Sequence, residues 1–269
     1  MMKNDSPASR FPTPGGAEPR IVVVMPAYNA VHTLKATLDD LPPEGIAEVI
    51  LVDDVSQDGT ADLAESLGLT VVRHRRNLGY GGNQKTCYRE ALSRGADIVV
   101  MVHPDHQYNP RLVMELAGPL IRGTCNSVLD SRMLGGRHFG GGMPKWIYCA
   151  NVALTAALNL ATGRFLTECH SGFRAYTRRY LQGVNLAANS NSLVFDVQIL
   201  LQGVDVGVHF YRVPIDARDF AEASLGCVGA GTRYGLSILV ALAAYRLHWI
   251  GIWTPAFLRR PGAMPGGPA

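Results

Sequence analysis

No two cysteines in this chain are spaced C-x-x-C: Cys87, Cys125, Cys149, Cys169 and Cys227 stand singly, and their number is odd. That dispersal argues against a zinc site or a disulfide framework and fits a reduced, cytoplasmic compartment. Charge of one sign is scarce as well, since 25 Lys and Arg against 22 Asp and Glu leave a formal charge of +3. With no basic run interleaved with aromatics, nucleic acid is not an expected partner. Residues 1–20 lack the apolar core of a signal peptide and read as a Pro/Gly/Ser-rich disordered tail. No apolar run is long and clean enough to span a bilayer. Tyr234–Leu258 is interrupted by Arg246 and His248, and the clean stretch Leu236–Tyr245 falls short of the roughly 20 residues a span needs. Residues 233–258 are instead expected to form an apolar or amphipathic helix, before a tail at 259–269. That helix either packs on the domain or lies at the inner membrane face with Trp249, Trp253 and Arg259-Arg260 at headgroup level.

Three familiar signatures are missing too. No G-x-G-x-x-G follows the first predicted strand, so a dinucleotide fingerprint is absent where it belongs. Gln84-Lys85-Thr86 resembles the end of a phosphate-binding P-loop, but position 84 is not glycine and no strand feeds it directly. G-x-S-x-G does not occur, which removes the usual hydrolase elbow. There is no internal repeat.

What is present describes a folded α/β chain, with 47% apolar and 17% charged residues over 269 positions. Ile21–Met25 predicts a buried strand closed by Pro26, and Asn29 is placed to cap a helix carrying Leu34, Leu38 and Leu41. Strands are predicted again at Glu48–Asp53, Thr70–Arg73 and Asp97–Val102. Helices follow Asp58-Gly59-Thr60 and run from about Asn83 to Ser93. Such alternation implies a mostly parallel sheet flanked by helices, with right-handed crossovers. After residue 123 the pattern changes. Gly135–Gly142 reads as a loop, Lys145–Ala161 as a helix, the region near Phe195–Leu201 as helical, Val206–Val213 as a strand and Pro214–Gly231 as a second loop. The reading is one domain over 21–232, with a nucleotide half at 21–123 and an acceptor half at 124–232.

Two of the apolar runs end in carboxylates. Val49–Val52 leads into Asp53 and Asp54, and Ile98–Val102 leads into His103-Pro104-Asp105-His106-Gln107. In open α/β sheets ligands sit beyond the carboxyl ends of the strands. Asp53 or Asp54 can accept a hydrogen bond from a base ring N–H. His103, Asp105 and Gln107 alternate toward one side, where imidazole, carboxylate and amide oxygen suit Mg2+ or Mn2+ shared with a diphosphate. Arg132, Arg174 and Arg218 lie among Gly, Ser and Asp, and their planar guanidinium groups suit diphosphate clamping. Asp196 is a candidate general base, its plainer reading being a helix-start carboxylate.

These segments resemble family 2 glycosyltransferases of the GT-A fold, a Rossmann-like sheet. The similarity is greatest to dolichol-phosphate mannosyltransferase and the bacterial polyprenyl-phosphate glycosyltransferases. Val23-Val24-Met25-Pro26-Ala27-Tyr28-Asn29 matches the opening strand and nucleotide loop, and Ile50–Thr60 matches V-D-D-G-S-x-D-G-T. Asn77–Asn83 matches N-x-G-x-G, His103-x-Asp105-x-Gln107 falls on D-x-D-x-Q, and Asp130-Ser131-Arg132 is similar to G-[ST]-R. Ser171–Arg174 corresponds to T-G-[YF]-[RK], and Arg218–Ser224 resembles the loop that closes over the donor. The resemblance implies that Pro26, Ala27, Tyr28, Asn29, Asp53, Asp54, Asn77, Gly79, Gly82, Lys85 and Arg174 bind the donor. It implies a metal at His103, Asp105 and Gln107, and catalytic roles for Asp105, Asp196, Arg132 and Arg218. Three departures stand out: His103 replaces an Asp, Val55 replaces a Gly and must strain or reshape its turn, and Asp130 replaces a Gly.

The implied reaction is inverting transfer of a hexose from a nucleoside-diphosphate sugar such as UDP-glucose to a polyprenyl phosphate or a small hydroxyl acceptor. A homodimer is compatible with it. A nucleotidyltransferase and a noncatalytic sugar-nucleotide binder are the rival readings. The transferase reading requires the tips of the second and fourth strands to converge on one cleft.

Overall fold

A computed structural model of the chain describes residues 18–131, 145–169, 171–215 and 228–260. Its spine is Ile21–Ala27 (β1), buried along its whole length. Ile21, Val23 and Met25 face one core and Val22 and Val24 the other, as a strand with helices on both sides requires. Each such side chain contributes roughly 1.5–3 kcal/mol by leaving water. Glu48–Asp53 (β2), Thr70–Arg73 (β3) and Ile98–Met101 (β4) lie parallel to β1 in the order β3-β2-β1-β4. Ser127–Ser131 (β5), Arg174–Thr177 (β6) and Phe210–Pro214 (β7) continue the same sheet. Among the described residues this makes a seven-stranded sheet, β3-β2-β1-β4-β6-β5-β7, in which only β6 runs antiparallel to its neighbours.

Val31–Asp39 (α1), Thr60–Ser66 (α2), Tyr80–Ser93 (α3) and Val113–Ile121 (α4) follow the first four strands. Helices α1, α2 and α4 cover one face through Leu34, Ala64, Val113 and Leu116. On the other face α3 packs with Arg178–Gly183 (α6) and Phe195–Asp205 (α7) through Cys87, Tyr88, Leu181 and Phe195. A third cluster joins α7 to Lys145–Thr162 (α5) and Val228–Trp249 (α8) through Leu158, Leu200, Ile238 and Leu242.

Several expectations need correction. β1 does not stop at Pro26 but pairs through Ala27 with Asp53. Pro26 lies past the last residue of β4 in register, where its missing N–H costs no ladder bond on that side. Asn29 does not cap α1, whose first N–H groups bond Thr60 and Asp58 instead. α3 begins at Tyr80 and takes in Gly81 and Gly82, which read as a turn. A Cβ at Gly81 would lie 2.5 Å from the Ser190 carbonyl, so glycine serves close approach there. α4, β5, β6 and α6 were not expected, and Gly118-Pro119 inside α4 carries a stop signal the helix overrides. α7 runs on to Asp205, so the last strand starts only at Phe210.

Among the described residues no helix is long and apolar enough to cross a membrane, and Cys87, Cys125, Cys149 and Cys169 are unpaired. The tails at 1–17 and 261–269, the Gly135–Gly142 loop, Arg132, Cys227, and residues 216–227 with Arg218 lie outside the described residues.

Candidate active site at the carboxyl edge of the sheet

Because β1, β2 and β4 are parallel, Ala27, Asp53 and the His103–Gln107 segment leave the sheet at one edge, with β1 between the two acidic tips. The tips of β2 and β4 therefore lie at the same edge of the sheet, not at opposite ends. Asn83 of α3 pins the edge from below, its Nδ2 donating to the Val52 carbonyl at 3.0 Å and to the Ala27 carbonyl at 3.3 Å.

The loops after β1 and β2 are laced together. Asn29 N–H donates to Ser56 Oγ and Asn29 Oδ1 accepts from Gln57 N–H, each at 2.9 Å. Asp58 accepts from Val31 N–H, Thr60 N–H and Thr60 Oγ1. Burial pushes the Asp58 carboxyl up, but the bonds from Thr60 and Val31 outweigh it and hold its pKa below the usual aspartate value. Asn29 and Val55 sit at φ 52° and 69°, so the substitution of Val for Gly is met by strain. Tyr28, 58% exposed, stands at the mouth of this pair of loops.

The two adjacent carboxylates are used differently. Asp54 is saturated: His74 Nδ1 lies 2.7 Å from Oδ1, Leu78 N–H donates to Oδ1 at 2.8 Å and Gly79 N–H to Oδ2 at 2.9 Å. It also holds Asn77, whose Nδ2 donates to its carbonyl, so Asp54 shapes the turn that starts α3. Asp53 accepts from Ser56 N–H through Oδ2, while its buried Oδ1 has no hydrogen-bond partner among the described residues. Gly82 packs against Leu78 within this turn, too tightly for a Cβ.

At the exit of β4, the His103 ring lies parallel to the Tyr80 ring, centroids 5.6 Å apart, with Nε2 3.4 Å from the Tyr80 hydroxyl. Gly172 abuts the same ring, where a Cβ would lie 2.5 Å from Nε2. Asp105 Oδ1 accepts from Gln107 N–H at 3.0 Å. Among the described residues no three His, Cys, Asp or Glu side chains converge as a metal cage. A cation here would have to take much of its coordination from a ligand, the arrangement typical of Mg2+ on a diphosphate. One carboxylate, Asp105, two residues from an imidazole and an amide in the chain, fits that role.

Three expected donor-site or catalytic side chains are occupied within the protein. Arg174, 1% exposed, donates Nε to the Ser171 carbonyl, Nη1 to that of Asp196 and Nη2 to that of Cys169. Its guanidinium is turned into the fold and not onto a phosphate. Lys85 is likewise engaged, donating to Asn191 Oδ1 at 2.8 Å and to the Asn189 carbonyl, with its ammonium pKa lowered by burial. Asp196 is closed in by Tyr80 O–H at 2.7 Å, Gln84 Nε2 at 3.2 Å and Arg174 Nη1 at 3.7 Å. Burial and the neighbouring Asp196 charge raise the Tyr80 pKa well above 10, so the phenol stays a donor. Tyr80, Asn83 and Gln84 were missed as site residues. The signal was available in polar side chains lying on the face of α3 marked as inner by Cys87, Tyr88 and Ala91.

The model of the family described as "Glycosyl transferase family 2" matches residues 22–184. An undecaprenyl-phosphate mannosyltransferase of Micrococcus luteus is 30% identical, over 81% of this chain and 95% of that protein. A UDP-N-acetylglucosamine–dolichyl-phosphate N-acetylglucosaminyltransferase of Methanococcus voltae is 27% identical, over 62% of this chain and 72% of that one. Among solved structures, glucosyl-3-phosphoglycerate synthase from Mycobacterium tuberculosis, crystallised with Mn2+, UDP and glucosyl-3-phosphoglycerate, superposes with a TM-score of 0.65. It is 24% identical and the match covers 86% of each chain, a likeness of fold.

Proposed function

The chain belongs to glycosyl transferase family 2, and from that membership we propose that it moves a hexose from a UDP-sugar, UDP-glucose or a close relative, to a polyprenyl phosphate with inversion. The observation that carries the donor reading is the buried, partnerless Oδ1 of Asp53 at the tip of β2, on the same edge as Asp105. A carboxylate oxygen stripped of water and left unbonded is costly, and the ring N–H of uracil supplies the missing donor. Tyr28, exposed just past the end of β1, would stack on that base, and Asp54, Asn77, Gly79 and Gly82 build the turn behind it. The acceptor reading draws on the two relatives named for undecaprenyl and dolichyl phosphates.

Asp105, with His103 and Gln107 beside it, would hold Mg2+ or Mn2+ against the donor diphosphate. The bound cation supplies charge neutralisation of the departing UDP. Arg132 and Arg218 belong to the same task by their motifs. An acceptor phosphate oxygen attacks the anomeric carbon from the face opposite UDP, a new C–O bond forms as the bond to the diphosphate breaks, and configuration inverts. A phosphate is already an anion, so no general base is required, in keeping with an Asp196 that is closed in by Tyr80, Gln84 and Arg174.

A thermal-shift panel of nucleotide sugars, with and without Mn2+ or Mg2+, tests this reading. Stabilisation by UDP-sugars that strengthens with the cation is expected, together with loss of donor turnover in Asp105→Ala. Wild-type turnover in that variant would sink the metal assignment. Binding of UDP-sugars without hydrolysis or transfer to any lipid-phosphate or hydroxyl acceptor would favour the noncatalytic binder.

A further inference from the structure

Exposed apolar surface on this molecule gathers on the α5–α8 pair. α8 is apolar on both sides: Ile238, Leu242 and Tyr245 are buried against the protein, while Leu236, Leu239 and Val240 face outward uncovered. α5 carries no charge between Trp146 and Thr162, and its outer residues Trp146 and Leu160 are 50% and 83% exposed. Phe165 just beyond α5, and Trp249, Ile252 and Trp253 at the end of α8, extend the same exposed set. A helix greasy all round is normally covered by protein or by lipid.

The charges of these segments are one-sided. Across 145–169 and 228–260 the cations are Lys145, Arg164, Arg233, Arg246, Arg259 and Arg260, all exposed, against a single acid, Glu168, which is buried. The neighbouring acid on α7, Asp205, lies 3.1 Å from His248 Nε2. Arg246 lies over the Trp249 ring at 4.9 Å and donates to the Ala161 carbonyl, so its head sits beside the indole at the margin of the patch.

We propose that the outer face of the α5–α8 pair docks on an anionic lipid bilayer. Tryptophans and arginines around an apolar face are what the headgroup region accommodates, and six exposed cations complement anionic lipid. A second copy of the chain is the less favoured occupant, because an isologous contact would bring the same arginine-rich margin against itself. The inner side of the pair is continuous with the candidate site: half-buried Tyr234 of α8 packs on the cluster that holds Val194 and Val197, which flank Asp196. In delivering the site to a lipid-phosphate acceptor the proposal rests on the preceding reading; the surface itself does not.

All three tryptophans, Trp146, Trp249 and Trp253, are at least half exposed on α5, at the end of α8 or just beyond it, so the unmodified chain reports its own docking. The full chain is mixed with vesicles of phosphatidylglycerol or of phosphatidylcholine, following tryptophan emission and co-sedimentation. A blue shift and co-sedimentation with the anionic vesicles that weaken with salt are expected. Leu160→Glu with Val240→Glu should bind at least tenfold more weakly, with an unchanged melting temperature. No shift and no co-sedimentation would overturn the proposal. So would a lipid-free blue shift that rises with protein concentration alongside a dimer in light scattering. Stabilisation by UDP-glucose is measured in the same samples: its loss with vesicle binding intact sinks the donor reading alone, and the converse sinks the docking surface alone.

Discussion

Asp53 and Asp54 are neighbours of one residue type, both nearly inaccessible, yet their hydrogen bonds separate them completely. Asp53 needs both oxygens as acceptors, Oδ2 for Ser56 N–H and Oδ1 for an incoming donor. Asp53→Asn must turn an NH2 toward one of those two N–H groups whichever way the amide flips. UDP binding by calorimetry is therefore expected to weaken about tenfold to a hundredfold, the equivalent of the roughly 1.5–3 kcal/mol of a charge-assisted hydrogen bond. Asp54→Asn should act on the fold instead, lowering the melting temperature by setting an NH2 either against His74 and the Leu78 N–H or against the Gly79 N–H. Equal losses of affinity without loss of stability in both variants would refute the division of labour. Val55 holds a left-handed φ of 69° that costs a β-carbon residue about 1–2 kcal/mol. Val55→Gly relieves that strain at the expense of about 0.5–1 kcal/mol of chain entropy. A melting temperature raised by a few degrees is expected, and a lowered one would show that the isopropyl group contributes packing that outweighs the strain.

At the scale of elements, α1 and α2 are started by one side chain. Asp58 accepts from the first N–H of α1 and from Thr60, which opens α2, so its folded pKa lies below the ordinary 3.8. A depressed carboxylate contributes stability that is complete above the unfolded value and is lost as pH falls through the folded one. Asp58→Asn should therefore flatten the fall in melting temperature below about pH 4 relative to wild type, and parallel acid limbs would show the clip to be idle. The same scale shows what could be read in advance. β1, β2 and β4 were legible because buried apolar runs admit few other readings, and the half-exposed edge strand Thr70–Arg73 was bounded correctly as well. β5 was not, since Ser127, Asp130 and Ser131 look like loop residues. Two of them are met by tertiary partners, Ser171 Oγ donating to Asp130 and Thr167 Oγ1 to Ser131 Oγ, while Ser127 Oγ is buried with no hydrogen-bond partner among the described residues. The site edge followed from strand order, but not which nearby polar groups would turn inward. Arg174 and Lys85 carry the right charge for a phosphate; only the carbonyls around them show that they are engaged elsewhere.

Over the whole molecule, the sheet changes direction at the β4–β6 junction, where parallel strands of the first half meet an antiparallel strand of the second. A buried polar knot spans that junction. Tyr80 and Gln84 come from α3, Arg174 from β6 and Asp196 from α7, and the stacked Tyr80 ring passes the same contact to His103 at the β4 exit. Removing one member of a buried ion pair strands the other, which costs about 3–5 kcal/mol, far more than the pair adds over an apolar substitute. Asp196→Ala should therefore lower the unfolding free energy by about that amount in urea titration, while Tyr80→Phe, which deletes the short bond to Asp196 and the longer contact with His103, should cost only about 0.5–1.5 kcal/mol. The comparison also decides between two roles for Asp196. A general base presented to an acceptor would lose turnover on substitution and leave stability nearly untouched. A carboxylate that compensates Arg174 and aims Tyr80 at His103 does the reverse: stability falls first, and donor affinity declines with it because the β4 exit loses its support. If Asp196→Ala unfolded at the wild-type urea concentration while turnover fell a thousandfold, the knot would be catalytic and the acceptor would be a hydroxyl needing deprotonation.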